Sequence, residues 1–277
     1  MRKLPLSFVL IFCVLSTSLL AQERPATAQP NVHILENVLK IPGLDRDRTL
    51  RIYLPSGYEE SKKSYPVMYM HDAQNLFDDA TSFVGEWGVD EHLNALAKSD
   101  GLELIVVGID NGQEKRNTEL SPWHNEHIGE PEGEEYTRFI VEVVKPYIDK
   151  NYRTKPGRKH TAIMGSSLGG LISHYAIYAY PKVFSKAGIF SPSYWVSEDV
   201  FSFTKSNPVP KNARMYLIVG QKEGPMMFGN TEKMYAFIKE QGHPAANISA
   251  ETNEAGEHNE AFWSSEFSDA VKWLFKK

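Results

Sequence analysis

Thr161-Ala-Ile-Met-Gly-Ser-Ser-Leu-Gly-Gly-Leu171 is an apolar run, then a Gly-x-Ser-x-Gly pattern, then the opening of a helical stretch. That order describes a nucleophile elbow, a sharp turn between a buried strand and a helix that lifts the Oγ of Ser167 clear of the sheet. Gly165 and Gly169 flank the serine, where a Cβ would collide with the neighbouring strand or helix in so tight a turn. The five-residue pattern is common by itself. Its weight comes from what surrounds it.

Working outward, Pro66–Met70, Leu104–Ile109, His160–Met164, Ala187–Phe190 and Met215–Val219 are short continuous apolar runs, as expected of strands buried on both faces. A last strand is expected over Asn247–Thr252. Between them lie helical patterns. In Glu134–Asp149 the residues Tyr136, Phe139, Ile140, Val143, Val144, Tyr147 and Ile148 form one apolar stripe. Leu168–Ala179, Thr231–Gln241 and Glu260–Phe275 are further candidates. Upstream, His33–Ile41 and Arg48–Pro55 read as an antiparallel hairpin turning at Gly43-Leu44-Asp45-Arg46. A hairpin followed by alternating strands and helices predicts a mostly parallel sheet covered on both faces. Ser167 then follows the fifth strand, at the carboxyl edge where such sheets hold their sites.

The ends of the chain differ from this middle. Arg2 and Lys3, the apolar Leu4–Leu20 and the small residues before Gln22 predict a secretory signal peptide over residues 1–21 and a secreted or periplasmic protein. The core is short for a membrane span and is interrupted by Pro5, Ser7 and Ser16–Ser18, so no stable membrane insertion is expected. Cys13 is the single cysteine and falls inside this segment, so disulfides and thiolate chemistry are excluded from the mature chain. Removing Met1–Ala21 takes away two basic residues and no acid, leaving 28 basic residues against 35 acidic ones. That balance does not favour nucleic acid or an anionic surface. Residues 22–31 are polar and proline-containing, and a flexible lead-in is expected there. Residues 32–277 suffice for a single large α/β domain.

A serine hydroxyl needs a histidine to take its proton and a carboxylate to orient that histidine. After an elbow of this kind the chain order is serine, acid, histidine. Three histidines follow Ser167. His174 lies two turns into the next helix and points away from the elbow, and His243 sits in a helix-to-strand turn. His258, between the last strand and the last helix, is the candidate base. Glu223 is the first acid past the strand Met215–Val219; Asp199, Glu254 and Glu257 are the alternatives. The oxyanion of a tetrahedral intermediate needs N–H donors. Leu168, directly after the serine, supplies one, and Gln74, in the loop after the third strand, is the choice for the other. His71 and Asp72 in that loop are expected to brace it. Asn111, Trp123 and Trp195 are the candidate substrate-binding residues, with Arg116, Glu119, His124 and His127 in the same long loop as the first two, and Met226, Met227 and Phe228 following the acid. Two histidines in His124-Asn-Glu-His127 without a third ligand do not make a metal site. Neither metal nor cofactor is expected.

The chain resembles the esterase D-type branch of the α/β-hydrolases, which includes enterochelin esterases, feruloyl and acetylxylan esterases, and mycolyltransferases. The resemblance runs from about Asn31 to the C-terminus. It rests on Tyr69–Phe77, Gly108–Gly112, Glu119–Trp123, Gly165–Leu171, Phe190–Trp195 and His258–Trp263. It implies an α/β-hydrolase fold, Ser167 as nucleophile, Glu223 as acid, His258 as base, and Gln74 and Leu168 as oxyanion donors. Ala73 departs from the glycine of many relatives, a change of loop stiffness rather than of chemistry. The expected function is a secreted serine esterase acting on a carbohydrate-linked or siderophore-type ester through an acyl-enzyme. The same parts would serve an acyltransferase with a sugar or lipid hydroxyl as acceptor. A non-catalytic carbohydrate-binding module is the reading that a complete triad disfavours. Neither the acyl group, the alcohol nor the oligomeric state is legible.

Overall fold

The computed structural model describes residues 24–275. The signal peptide expected over residues 1–21 lies outside them, and among the described residues no helix is long and apolar enough to cross a membrane. The hairpin forms as β1 (Val32–Ile41) and β2 (Arg46–Tyr53), and Gly43 and Asp45 take positive φ in the turn. β3 (Val67–Met70) leads through a long loop to α1 (Val89–Asp100), and β4 (Ile105–Ile109) to the single turn α2 (Arg116–Glu119). The striped segment becomes α3 (Gly133–Phe139), a wider π turn over Ile140–Val144, and α4 (Lys145–Asn151). Pro146 lacks the N–H that would bond back to Glu142, which accounts for the wide turn. The turn shifts the helical phase, so Ile140, Val144 and Ile148 are buried while Val143 and Tyr147 are only half-buried. Then follow β5 (Thr161–Ser166), α5 (Leu168–Ala179), β6 (Lys186–Phe190), α6 (Asp199–Ser206), β7 (Arg214–Gly220), α7 (Pro225–Glu240), β8 (Ile248–Asn253) and α8 (Glu260–Phe275).

The eight strands lie in the order β1-β2-β4-β3-β5-β6-β7-β8. β1–β2 and β2–β4 are antiparallel and the other neighbours parallel. Alternation along the central strands feeds two cores. Tyr69, Ile163, Ile189 and Leu217 face Val144, Ile172, Ile177 and Met234 on one side. Met68, Met164 and Ile218 face Leu93, Phe267 and Val271 from α1 and α8 on the other. Each such side chain contributes roughly 1.5–3 kcal/mol on burial. The parallel strands therefore end together, and the loops after Met70, Ile109, Ser166, Phe190 and Gly220 share one rim.

Residues 24–31, within the stretch where a flexible lead-in is expected, make hydrogen bonds to the body of the domain. The backbone N–H groups of Thr27 and Gln29 donate to Asp78 (3.0 Å) and Asp90 (2.7 Å), and Asn31 Nδ2 donates to the Leu54 carbonyl (2.7 Å). A polar composition left these contacts invisible, because their acceptors come from distant parts of the chain.

Candidate active site

Ser167 has φ 59° and ψ −122°, a conformation that an L residue reaches only under constraint. The constraint is visible. Ser167 N–H donates to the Phe190 carbonyl (2.9 Å), and its own carbonyl accepts from Ser193 N–H (3.1 Å), so β6 and its loop hold both faces of the peptide. A Cβ at Gly165 would lie 2.8 Å from His71 Cδ2 and 2.9 Å from the Gly169 backbone, as the elbow demands. The second glycine is a different matter. A Cβ on Gly169 would meet nothing nearer than His71 Cβ at 3.4 Å, whereas one on Gly170 would sit 2.7 Å from the Phe190 carbonyl oxygen. Gly170, not Gly169, is the position where helix α5 crosses β6 too closely for a side chain. At the start of α5, the Leu168 N–H has no acceptor within the helix.

Glu223 lies just past β7 and its side chain is fully buried. Oε2 lies 2.6 Å from His258 Nδ1, and Oε1 accepts from Gly220 N–H (2.7 Å) and Ser191 Oγ–H (2.6 Å). Trp263 Nε1–H donates to Ser191 Oγ at 2.9 Å, and the indole stands edge-on to the His258 ring at 5.0 Å. The two loops meet through glycine. A Cβ on Gly220 would lie 2.3 Å from the Gly256 oxygen, and Lys222 N–H donates to that same carbonyl (3.1 Å). Bare backbone contact thus fixes the spacing of acid and histidine. The alternatives stand apart: Glu257 is exposed beside Lys222 (3.5 Å), Asp199 bonds Ser197 at the start of α6, and Glu254 is exposed.

Ser167, His258 and Gln74 open onto one cavity of about 590 Å³. Ser167 Oγ bonds Ser193 Oγ (3.3 Å) rather than His258, whose Nδ1 is committed to Glu223. Such a serine–histidine bond commonly tightens only when substrate is bound. Asn111 and Arg116 line the cavity and meet at Asp72: Asn111 Nδ2 donates at 2.7 Å, and Arg116 donates through Nε (2.6 Å) and Nη2 (2.8 Å). Burial works to raise the Asp72 pKa, but the Arg116 charge and these donors outweigh it and hold the group below its ordinary value. The Gln74 side chain ties the same loop to β4, accepting from Asn111 N–H (3.0 Å). His71 braces it from beneath through Tyr136 (2.9 Å), and burial lowers its pKa to about 4, so the ring is neutral.

The two candidate tryptophans are not brought to this cavity. Trp123 packs edge-on against Tyr175 and Phe203, where it closes a core, and Trp195 lies outside the lining at 38 % exposure. Glu119 is buried against Arg46 (2.9 Å) and Arg48 (2.6 Å), and His124 and His127 are exposed beside Glu130 and Glu126. Instead, Thr81, Ser82, Phe83, Val84 and Trp87 form a further stretch of the cavity wall. Neither that wall nor Ser191 and Trp263 emerged from the residue-by-residue reading, although the last two lie in Phe190–Trp195 and His258–Trp263. The histidines set aside have structural roles. His174 is buried between Tyr194 and Thr204 (2.8 Å each), and His243 Nε2 lies 2.9 Å from the Ala213 carbonyl.

Similarity to known proteins supplies the family. The model of the family described as putative esterase matches residues 41–274. The protein YbbA of Bacillus subtilis is 26% identical over 244 residues, 83% of this chain and 94% of its own length. The ferri-bacillibactin esterase BesA of Bacillus subtilis is 27% identical over 74% of this chain and 82% of its own. The crystal structure of the BES protein from Bacillus cereus superposes with a TM-score of 0.73 at 18% identity, covering 91% of this chain and 97% of that one. The chain belongs to the putative esterase family of the α/β-hydrolases and is a carboxylic ester hydrolase.

Proposed function

We propose that this esterase works through a Ser167–His258–Glu223 triad and an acyl-enzyme. The observation that carries the reading is the 2.6 Å contact between His258 Nδ1 and a fully buried Glu223, with Ser167 on the elbow of the same cavity. A carboxylate on Nδ1 leaves Nε2 as the basic nitrogen and stabilises the imidazolium that forms. Ser167 Oγ attacks the ester carbonyl while its proton passes to His258 Nε2. The Leu168 and Gln74 N–H groups receive the oxyanion. The C–O bond to the alcohol then breaks, and the alcohol leaves with the proton from His258. Water attacks the acyl-enzyme, gives its proton to His258, and the carboxylic acid departs as that proton returns to Ser167.

The substrate we read for it is a siderophore-type or carbohydrate-linked ester, the former supported by the likeness to the ferri-bacillibactin esterase, and the enzyme meets it outside the cytoplasm after cleavage near Gln22. Of the residues lining the cavity, Arg116, Asn111 and Gln113 offer polar contacts, and Phe83, Val84 and Trp87 apolar ones. The test is a hydrolysis panel of p-nitrophenyl acetate, feruloyl esters, acetylated xylan and a catecholate siderophore. Release of free acid by the wild type and none by Ser167→Ala is the expected result. Retention of activity by that variant overturns the triad.

A further inference from the structure

The stretch of cavity wall around Phe83 and Val84 is attached to the rest of the molecule in an unusual way. Phe83 and Val84 line the cavity yet are 87 % and 60 % exposed, so they have little apolar packing to hold them. From the cavity side the loop is tied at Thr81, whose Oγ accepts from Arg51 (2.9 Å) and donates to the Gln74 carbonyl (2.8 Å), and at Phe83 N–H, which donates to Asn75 Oδ1 (3.1 Å). At its far end Trp87 is buried against Phe190, Trp263 and Phe267, and its carbonyl accepts from Ser264 Oγ–H (2.6 Å). Along its outer side the loop is tied by the segment that precedes the hairpin. Arg24 donates to Asp79 Oδ1 (3.2 Å), to Ser82 Oγ (3.0 Å) and to the Ser82 carbonyl. Thr27 is the centre of the arrangement: its N–H donates to Asp78 (3.0 Å), its hydroxyl donates to Glu86 Oε1 (2.5 Å), and its Oγ1 accepts from Asp79 N–H (2.8 Å). Gln29 then closes on α1 through Asp90 (2.7 Å) and Glu91 (2.9 Å).

We propose that residues 24–29 are a strap that positions the Asp78–Trp87 loop, and that through it they set how the enzyme binds the part of the substrate lying beyond the reacting ester. The strap bonds both ends of the loop, Asp78–Asp79 and Glu86, and leaves the Phe83–Val84 tip free to lie on a ligand. The strap itself bonds none of the reacting groups: Ser167, Glu223 and His258 are held directly by β6, β7 and the Gly220–Gly256 contact. Thr27 and Arg24 are therefore positioning residues whose effect is confined to substrates large enough to reach the tip.

The inference rests on the esterase reading, and the experiment separates the two. Thr27→Val in the full chain keeps the shape and removes both hydroxyl bonds. Wild type and variant are compared on p-nitrophenyl acetate, which ends near Ser167, and on whichever bulky ester of the panel the wild type hydrolyses. The expected result is KM for the bulky ester raised about 3- to 10-fold, the range for one or two lost hydrogen bonds, with kcat unchanged and acetate turnover within twofold. Hydrogen exchange should quicken in Asp78–Trp87 and not in Gly220–His258. Equal losses on both esters, or no change on either, overturns the strap. If the wild type hydrolyses no ester, the esterase reading fails independently, and unchanged exchange in Asp78–Trp87 of Thr27→Val would overturn the strap on its own.

Discussion

Two sides of one cavity are built on opposite principles. The side bearing Ser167, Glu223 and His258 is made from strand ends, with every reacting group held by buried partners: Ser191 and Gly220 on Glu223, Phe190 and Ser193 on the Ser167 backbone. The side bearing Phe83 and Val84 is a loop whose tip is exposed and which is held by polar contacts at its margins, with packing confined to the buried Trp87 at its far end. Chemistry tolerates displacements of well under an ångström, which only buried, over-determined geometry supplies. Recognition of a variable substrate needs only an apolar surface that can adjust. The contrast predicts that changes on the strand side alter turnover on every ester, and changes on the loop side alter binding of large esters alone.

The largest effect comes from the nucleophile. Ser167→Ala should lose about five to six orders of magnitude in kcat on all esters, as loss of a nucleophile that acts as a unit with its base does elsewhere, with no change in thermal midpoint. Ser166→Ala should keep most activity. Residual turnover by Ser167→Ala that varied with ester size would break the division between the two sides.

Glu223→Gln should cost about two to four orders of magnitude, because the amide cannot stabilise the imidazolium. Glu257→Gln and Asp199→Asn should each stay within about twofold, since surface ion pairs contribute little. Near-normal turnover by Glu223→Gln in a kcat assay would remove the acid from the strand side.

His71 tests the burial of that side through pH. Burial holds its pKa down at about 4, against 6.5 in an unfolded chain. Below pH 6.5 the unfolded state takes up a proton that the folded state refuses, so this group's contribution to stability is whole above 6.5 and is lost as pH falls toward 4. Denaturation curves of His71→Asn should therefore fall less steeply than wild type between those values, by on the order of 3 kcal/mol. Equal slopes would mean that water reaches the space beneath the elbow.

How much of this was legible in sequence follows the same division. β5 and α5 could be read because a strand buried on both faces and its elbow leave an uninterrupted local pattern, and Glu223 and His258 because they follow a strand and precede a helix in a fixed chain order. Ser191 was hidden by its role: its hydroxyl links Trp263 to Glu223, residues 72 and 32 positions away. Trp123 and Trp195 misled because an aromatic in a loop near a site is as useful for packing as for binding, and only the neighbours, Tyr175 and Phe203 for Trp123, decide between the two. The Phe83 loop carries no periodicity, and its attachment comes from side chains 50 or more residues upstream.

The smallest effect is the most discriminating. Trp263 touches no reacting atom in the proposed mechanism; it donates to Ser191, which donates to Glu223, and its ring edge flanks His258. Trp263→Phe keeps much of the packing and removes one N–H, so Ser191 remains bonded to Glu223 with one partner fewer. Loss of a single hydrogen bond at that remove should lower kcat about 2- to 10-fold, by the same factor on p-nitrophenyl acetate as on a bulky ester, with KM unchanged. Phe83→Ala should do the reverse, leaving acetate turnover intact and raising KM for the bulky ester alone. The pair therefore reads the two sides against each other at matched magnitude. A Trp263→Phe effect that grew with ester size would place the indole among the substrate contacts, and the strand side would then be shaping recognition as well as chemistry.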